Sequence, residues 1–144
     1  MEKKEVLIAC AVTNKWGYVG VGRDHGPASD YLDNPDVYIP RELNSYPQDG
    51  AERMAMTNTG RLLTMKESWD LCDEQGLVKR EKAEEEDFLF WINSSDFKKA
   101  LDLHSDPKVA IAFAEANNQK VKKRMILKYP PTIEERFAMR GDGD

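Results

Sequence analysis

From Glu5 to Thr13 the chain reads Glu-Val-Leu-Ile-Ala-Cys-Ala-Val-Thr, an apolar run rich in β-formers that ends at Asn14-Lys15-Trp16-Gly17. Tyr18 to Gly22 resumes the pattern, so the spacing predicts two short strands around a tight Asn/Gly turn, an N-terminal hairpin. Gly17, Gly20 and Gly22 leave the second strand thin, which suits close approach of another backbone or of a ligand. Punctuation is dense from Arg23 to Gly50, with Pro27, Asn34-Pro35, Pro40, Pro47 and Asp49-Gly50. This stretch reads as a long ordered loop, or a loop with one short helix, and either as a functional segment or as a variable insertion.

The period changes after Thr64. Thr64 followed by Glu67 forms a capping-box pair, and Met65, Trp69 and Cys72 recur at helical spacing with Ser68 and Leu71 beside them. A helix over Thr64–Gln75 is therefore predicted, closed by Gly76 in a left-handed position. Leu77–Lys79 reads as the start of an extended piece, Glu81–Asp87 as a solvated charge run, and Phe88–Ile92 as a compact apolar strand. Ser95–Leu103 reads as a short helix started by Ser94, Ser95 or Asp96. A second helix opens at Asp106-Pro107 and runs to Asn117. Met125–Leu127 is a weak strand, and Thr132–Glu135 is a second capping box before a last helical turn.

These elements predict an α+β fold. Its antiparallel β-sheet is seeded by the N-terminal hairpin and joined by Phe88–Ile92, with two to three helices packed on it. The 144 residues suit one domain, with 138–144 as a frayed tail. Composition is globular, 40% hydrophobic and 33% charged. No apolar run approaches the roughly 20 residues that a membrane span requires. The run Val6–Val12 has no small-residue cleavage site after it, so the chain is expected to stay in the cytoplasm where it is made. Cys10 and Cys72 are far apart and read as reduced core residues, and neither they nor His25 and His104 have zinc-ligand spacing. The net charge of −5 counts against long nucleic acid but leaves room for a small anion.

No phosphate loop, dinucleotide fingerprint, nucleophile with a base, or desolvated carboxylate pair appears, so the chain reads as a binder rather than an enzyme, with no cofactor. The strongest local signal is Thr57-Asn58-Thr59-Gly60-Arg61 leading toward the capped helix. Polar side chains, a glycine and an arginine ahead of a helix N-terminus suit an anion, which Arg61 could grip bidentately. The plainer alternative is a turn at Gly60 with Arg61 paired to the Glu81–Asp87 run.

Four elements, Val6–Val12, Gly22-Arg23-Asp24-His25, Thr57 to Glu67, and Ser94-Ser95-Asp96-Phe97, resemble a family of small phage proteins that includes the Thoeris anti-defence proteins. Those proteins sequester the cyclic ADP-ribose signal made by bacterial TIR-domain sensors and so keep an NADase effector silent. The resemblance implies a sponge for a small cyclic nucleotide in the infected host's cytoplasm, acting as a homodimer or higher homo-oligomer. The match lands on Arg61 and Asn58 as ligand-binding residues, and its elements carry the further candidates Thr57, Gly60, Arg23, His25, Ser94 and Asp96, with Arg23 suited to a pyrophosphate and Asn58, Ser94 and Asp96 to ribose hydroxyls. Residue chemistry adds Arg124 as a further cation and Trp16 or Trp91 as stacking faces, Trp91 reading rather as core. The rival function is a phage protein that inhibits a host enzyme through its acidic face.

Overall fold

The computed structural model describes residues 4–34, 36–44, 46–78 and 89–139. The predicted hairpin is present as β1 (Leu7–Thr13) and β2 (Val19–Gly22), with Gly17 in the turn at φ +95°. Buried Asn14 shapes that turn, its Oδ1 accepting from the amides of Trp16 and Tyr18. Two strands that the sequence pattern did not predict complete the sheet, β3 (Glu52–Thr57) and β4 (Leu62–Thr64). The order is β2-β1-β3-β4 and every pair is antiparallel. The fold is thus α+β.

One extra residue in β1, Ile8, shifts its register against β3, because Leu7 pairs with Thr57 and Ala9 with Met56. Such a bulge puts Leu7 and Cys10 into one core cluster and Ile8, Ala9 and Ala11 into another. The first cluster is closed by α2 (Met65–Glu74), α3 (Leu89–Ile92) and α4 (Ser95–His104), through Trp69, Cys72, Trp91, Phe97 and Leu101. The second is closed by Ala110 and Ala114 of α5 (Pro107–Lys128). Val121 and Met125 of α5 reach a third cluster, with Val12, Tyr18, and Ala28 and Leu32 of α1 (His25–Leu32).

Glycines let α1 lie on β2. A methyl group on Gly20 would overlap the Ala28 carbonyl oxygen, and one on Gly22 would lie 2.7 Å from the Ala28 nitrogen. On its outer edge β2 is covered by α5, where the Asn118 amide donates to the Val19 carbonyl at 2.9 Å and accepts from the Val19 amide at 2.8 Å. That side chain does what a neighbouring strand would do, and blunts the edge. The stretch from Arg23 to Gly50 holds α1 and a 3-10 turn at Arg41–Leu43. It is tied down by the Tyr18 hydroxyl on the Tyr38 carbonyl and the Tyr38 hydroxyl on the Tyr129 carbonyl, each 2.9 Å.

Several expectations are corrected. Phe88–Ile92 is not a strand, for Leu89–Ile92 is a helical turn and Phe88 lies outside the described residues. Met125–Leu127 is not a strand, because α5 continues unbroken from Pro107 past Asn117 to Lys128 along a stripe of Ala110, Ala114, Val121 and Met125. Leu77 and Val78 form no strand and pack against the first cluster. Among the described residues, α1, α2, α4 and α5 pack on the sheet. α6 (Ile133–Met139) extends into the stretch read as a frayed tail. Lys79, the Glu81–Asp87 run and 140–144 lie outside the described residues.

Candidate functional site

The segment Thr57–Arg61 is the loop of the β3–β4 hairpin, not a loop abutting a helix. The Gly60 amide donates to the Thr57 carbonyl and the Thr57 amide to the Arg61 carbonyl, both at 2.9 Å, with Gly60 at φ +86° under the Phe113 ring. The Asn58 side chain accepts from the Val6 amide and donates to the Lys4 carbonyl, each at 3.0 Å, holding the chain that enters β1. Thr57 is fully buried, and its hydroxyl donates to Glu5 at 3.0 Å, as does that of Thr59. Arg61 closes the cluster with a bidentate grip on the same carboxylate. Arg61 hydrogen-bonded to Glu5 is the largest cause holding that carboxyl below its ordinary value, with Thr57 and Thr59 adding to it against partial burial.

Arg61 therefore pairs with Glu5, a carboxylate near the N-terminus; the Glu81–Asp87 run, the partner expected for it, lies outside the described residues. At the start of α2 the Thr64 and Glu67 amides are engaged as well. The Thr64 hydroxyl accepts from the Glu67 amide at 3.1 Å and the Glu67 carboxylate accepts from the Thr64 amide at 3.0 Å, the predicted capping box. The contact with the Thr64 backbone is the main cause that lowers the Glu67 carboxyl. Two carboxylates, Glu5 and Glu67, thus take the hydrogen bonds of Arg61 and of the Thr64 amide.

Arg23 and His25 stand elsewhere, in a cavity of about 510 Å³ between the start of α1, the β1–β3 face and α4. Asp24 caps α1 by accepting from the Gly26 amide at 2.9 Å, which sets His25 as the first helical residue. The His25 ring stacks on Phe97, with centroids 6.3 Å apart and planes 11° from parallel. Its Nε2 lies 2.9 Å from the Met54 carbonyl oxygen, which only accepts, so Nε2 carries the proton. Burial is the main cause that lowers His25 below 6.5; the Met54 hydrogen bond opposes it and Arg53 adds to it.

Two further cations line this cavity that the sequence reading missed, Arg53 from β3 and Lys98 from α4. Among the described residues, none of Arg23, Arg53 and Lys98 is in an ion pair. Asp24 and Asp102 supply acceptors, while Ile92, Phe97 and Leu101 supply apolar wall. Cys10 also lines the cavity, but burial pushes its thiol up to about 12, so it is no thiolate nucleophile. Lys98 and Asp102 share one helical face, a legible signal. Arg53 was hidden because the strand carrying it was not recognised.

The remaining candidates do not line this cavity. Ser94 caps α4, accepting from the Phe97 amide at 3.1 Å and donating to the Trp91 carbonyl at 2.8 Å. Asp96 lies in the first turn of the same helix. Trp16 sits in the β1–β2 turn with the Lys15 ammonium 4.8 Å from its ring centroid, and Arg124 is exposed on α5. Trp91 is core, 1% exposed, and donates to the buried Ser68 hydroxyl at 2.9 Å. The cavity thus gathers Arg23 and His25, whereas Thr57, Asn58, Gly60 and Arg61 gather around Glu5. Among the described residues no group of three or more His, Cys, Asp or Glu could hold a metal ion, and no helix is long and apolar enough to cross a membrane. Compared with known protein families, curated proteins and solved structures, the chain matches none.

Proposed function

We propose that this protein binds a small phosphate-bearing ligand in the Arg23–Arg53–Lys98 cavity and retains it unchanged. The observation that carries this reading is the set of three cations, from the link before α1, from β3 and from α4, outside any ion pair among the described residues, around a concavity of about 510 Å³. Ligand pockets run from about 300 to 1,000 Å³, so a nucleotide-sized molecule fits. Guanidinium and ammonium groups would take phosphate oxygens, Asp24 and Asp102 would accept from ribose hydroxyls, and the apolar wall would shelter a base. The resemblance of Gly22-Arg23-Asp24-His25 to the anti-defence family makes a cyclic ADP-ribose isomer the proposed ligand, and sequestration of a bacterial immune signal the proposed role. A sponge works by stoichiometry and slow release, which requires no reacting group. The same resemblance supports a homodimer or higher homo-oligomer, which light scattering on the purified chain would measure.

Calorimetric titration with cyclic ADP-ribose isomers tests the site. Arg23→Ala and Arg53→Ala should each weaken binding tenfold or more, since a hydrogen bond to a charged group contributes about 1.5–3 kcal/mol. Arg61→Ala should leave affinity within a few-fold, because Glu5 already holds that side chain. The opposite ranking would move the site to the β3–β4 loop. Ligand released by heating should have its original mass, and linear ADP-ribose in excess of the protein would overturn sequestration.

A further inference from the structure

We propose that His25 is the switchable cation of this cavity: an anion entering beside Arg23, Arg53 and Lys98 draws a proton onto its ring, so that binding tightens as pH falls. The inference rests on reading the cavity as an anion site. Its geometry is that of a ring with one nitrogen engaged and one open. Nε2–H is taken by the Met54 carbonyl at 2.9 Å, and Nδ1 has no hydrogen-bond partner among the described residues. A proton added to this ring goes to Nδ1, turning an acceptor with no partner among the described residues into a charged donor on a side chain that lines the cavity.

The charges facing the ring decide when that happens. Arg23 and Asp24 come from the start of α1, Arg53 from β3, and Lys98 and Asp102 from α4; Cys10 of β1 stays a neutral thiol. The cations outnumber the carboxylates, and the ring is half-buried and stacked on Phe97, so without a ligand its charged form is disfavoured. An anion reverses the balance, by offsetting the neighbouring cations and by attracting the imidazolium directly. By linkage, whatever favours the proton in the presence of the anion favours the anion in the presence of the proton.

The chain has two histidines, and His104, exposed at the C-terminal end of α4, serves as an internal reference. Proton NMR would follow the His25 ring through the acid-to-neutral range in the free protein, then with saturating sulfate, then with cyclic ADP-ribose. Binding of either anion should raise the His25 midpoint by about one pH unit, equivalent to about tenfold tighter binding at low pH, with no comparable movement of His104. Calorimetry with sulfate in buffers of different ionisation enthalpy should show proton uptake in the native chain and none in His25→Gln, whose amide can still donate to Met54. A bound anion that leaves the His25 midpoint unmoved would overturn the coupling and leave the binding function standing. Failure of both anions to bind at all would overturn both.

Discussion

Among the described residues, Glu5 is the carboxylate on which three side chains converge. Its two oxygens accept from buried Thr57, from Thr59 and from Arg61, and its side chain is 23% exposed. Glu5→Gln keeps the shape but halves the acceptors and removes the charge. A loss of about 1–2 kcal/mol in unfolding free energy is expected by urea denaturation, with exposure moderating the electrostatic part. The folded-state carboxyl is held below its ordinary 4.5, so this stabilisation is present above pH 4.5 and is lost as pH falls through the lowered value. Native and Gln proteins should therefore converge in stability on acidification. A gap that persists at low pH would show that packing, not charge, makes the contribution.

Helices whose ends are set by neighbouring residues were the legible elements. Thr64 and Glu67 signal the start of α2 within one turn, and Ser94 and Asp106 do the same for α4 and α5. Thr64→Ala should cost about 1 kcal/mol, read as a lower melting temperature, with ligand affinity unaltered. An unmoved melt would mean that the cap contributes nothing to the folded state. β3 was illegible because Glu-Arg-Met-Ala-Met-Thr is poor in β-branched and aromatic residues; its extended form comes from pairing with β1 on one side and β4 on the other. Leu89–Ile92 shows the reverse difficulty, since a short apolar run fits a buried strand or a buried helical turn equally well. The seat of α1 on β2 is governed by glycine. Gly20→Ala drives a methyl into the Ala28 carbonyl, and destabilisation of about 1–3 kcal/mol is expected from the backbone shift it forces. A neutral result in denaturant melts would show that α1 slides without loss.

In the molecule as a whole, the sheet is covered on one face by α1, α2 and α4 and on the other by α5, and both cysteines belong to the first cluster. Burial pushes the Cys10 thiol up to about 12 and the Cys72 thiol up to about 11. Each has to reach solvent before it reacts, and the two are held by one continuous core. Thiol-reagent labelling of the native protein should therefore be slow, with both cysteines reacting at one common rate that rises with denaturant. A fast, denaturant-independent reaction at Cys10 alone would reveal a local opening through the cavity.

What could be read along the chain was whatever residues a turn apart dictate: the N-terminal hairpin, the capped helices, the α+β class and the burial of Trp91. Contacts between distant residues were not written there. Arg61 and Glu5 are separated by 56 positions, and nothing near Arg61 announces that a carboxylate five residues from the N-terminus will reach it. The cavity likewise draws Arg23 from the link between β2 and α1, Arg53 from β3 and Lys98 from α4, and these meet only because β1 pairs with both neighbours and α4 packs on β1. Local hydrogen bonding and side-chain periodicity act within a few residues. Ion pairing, strand register and the shape of a cavity depend on which distant surfaces the core brings into contact.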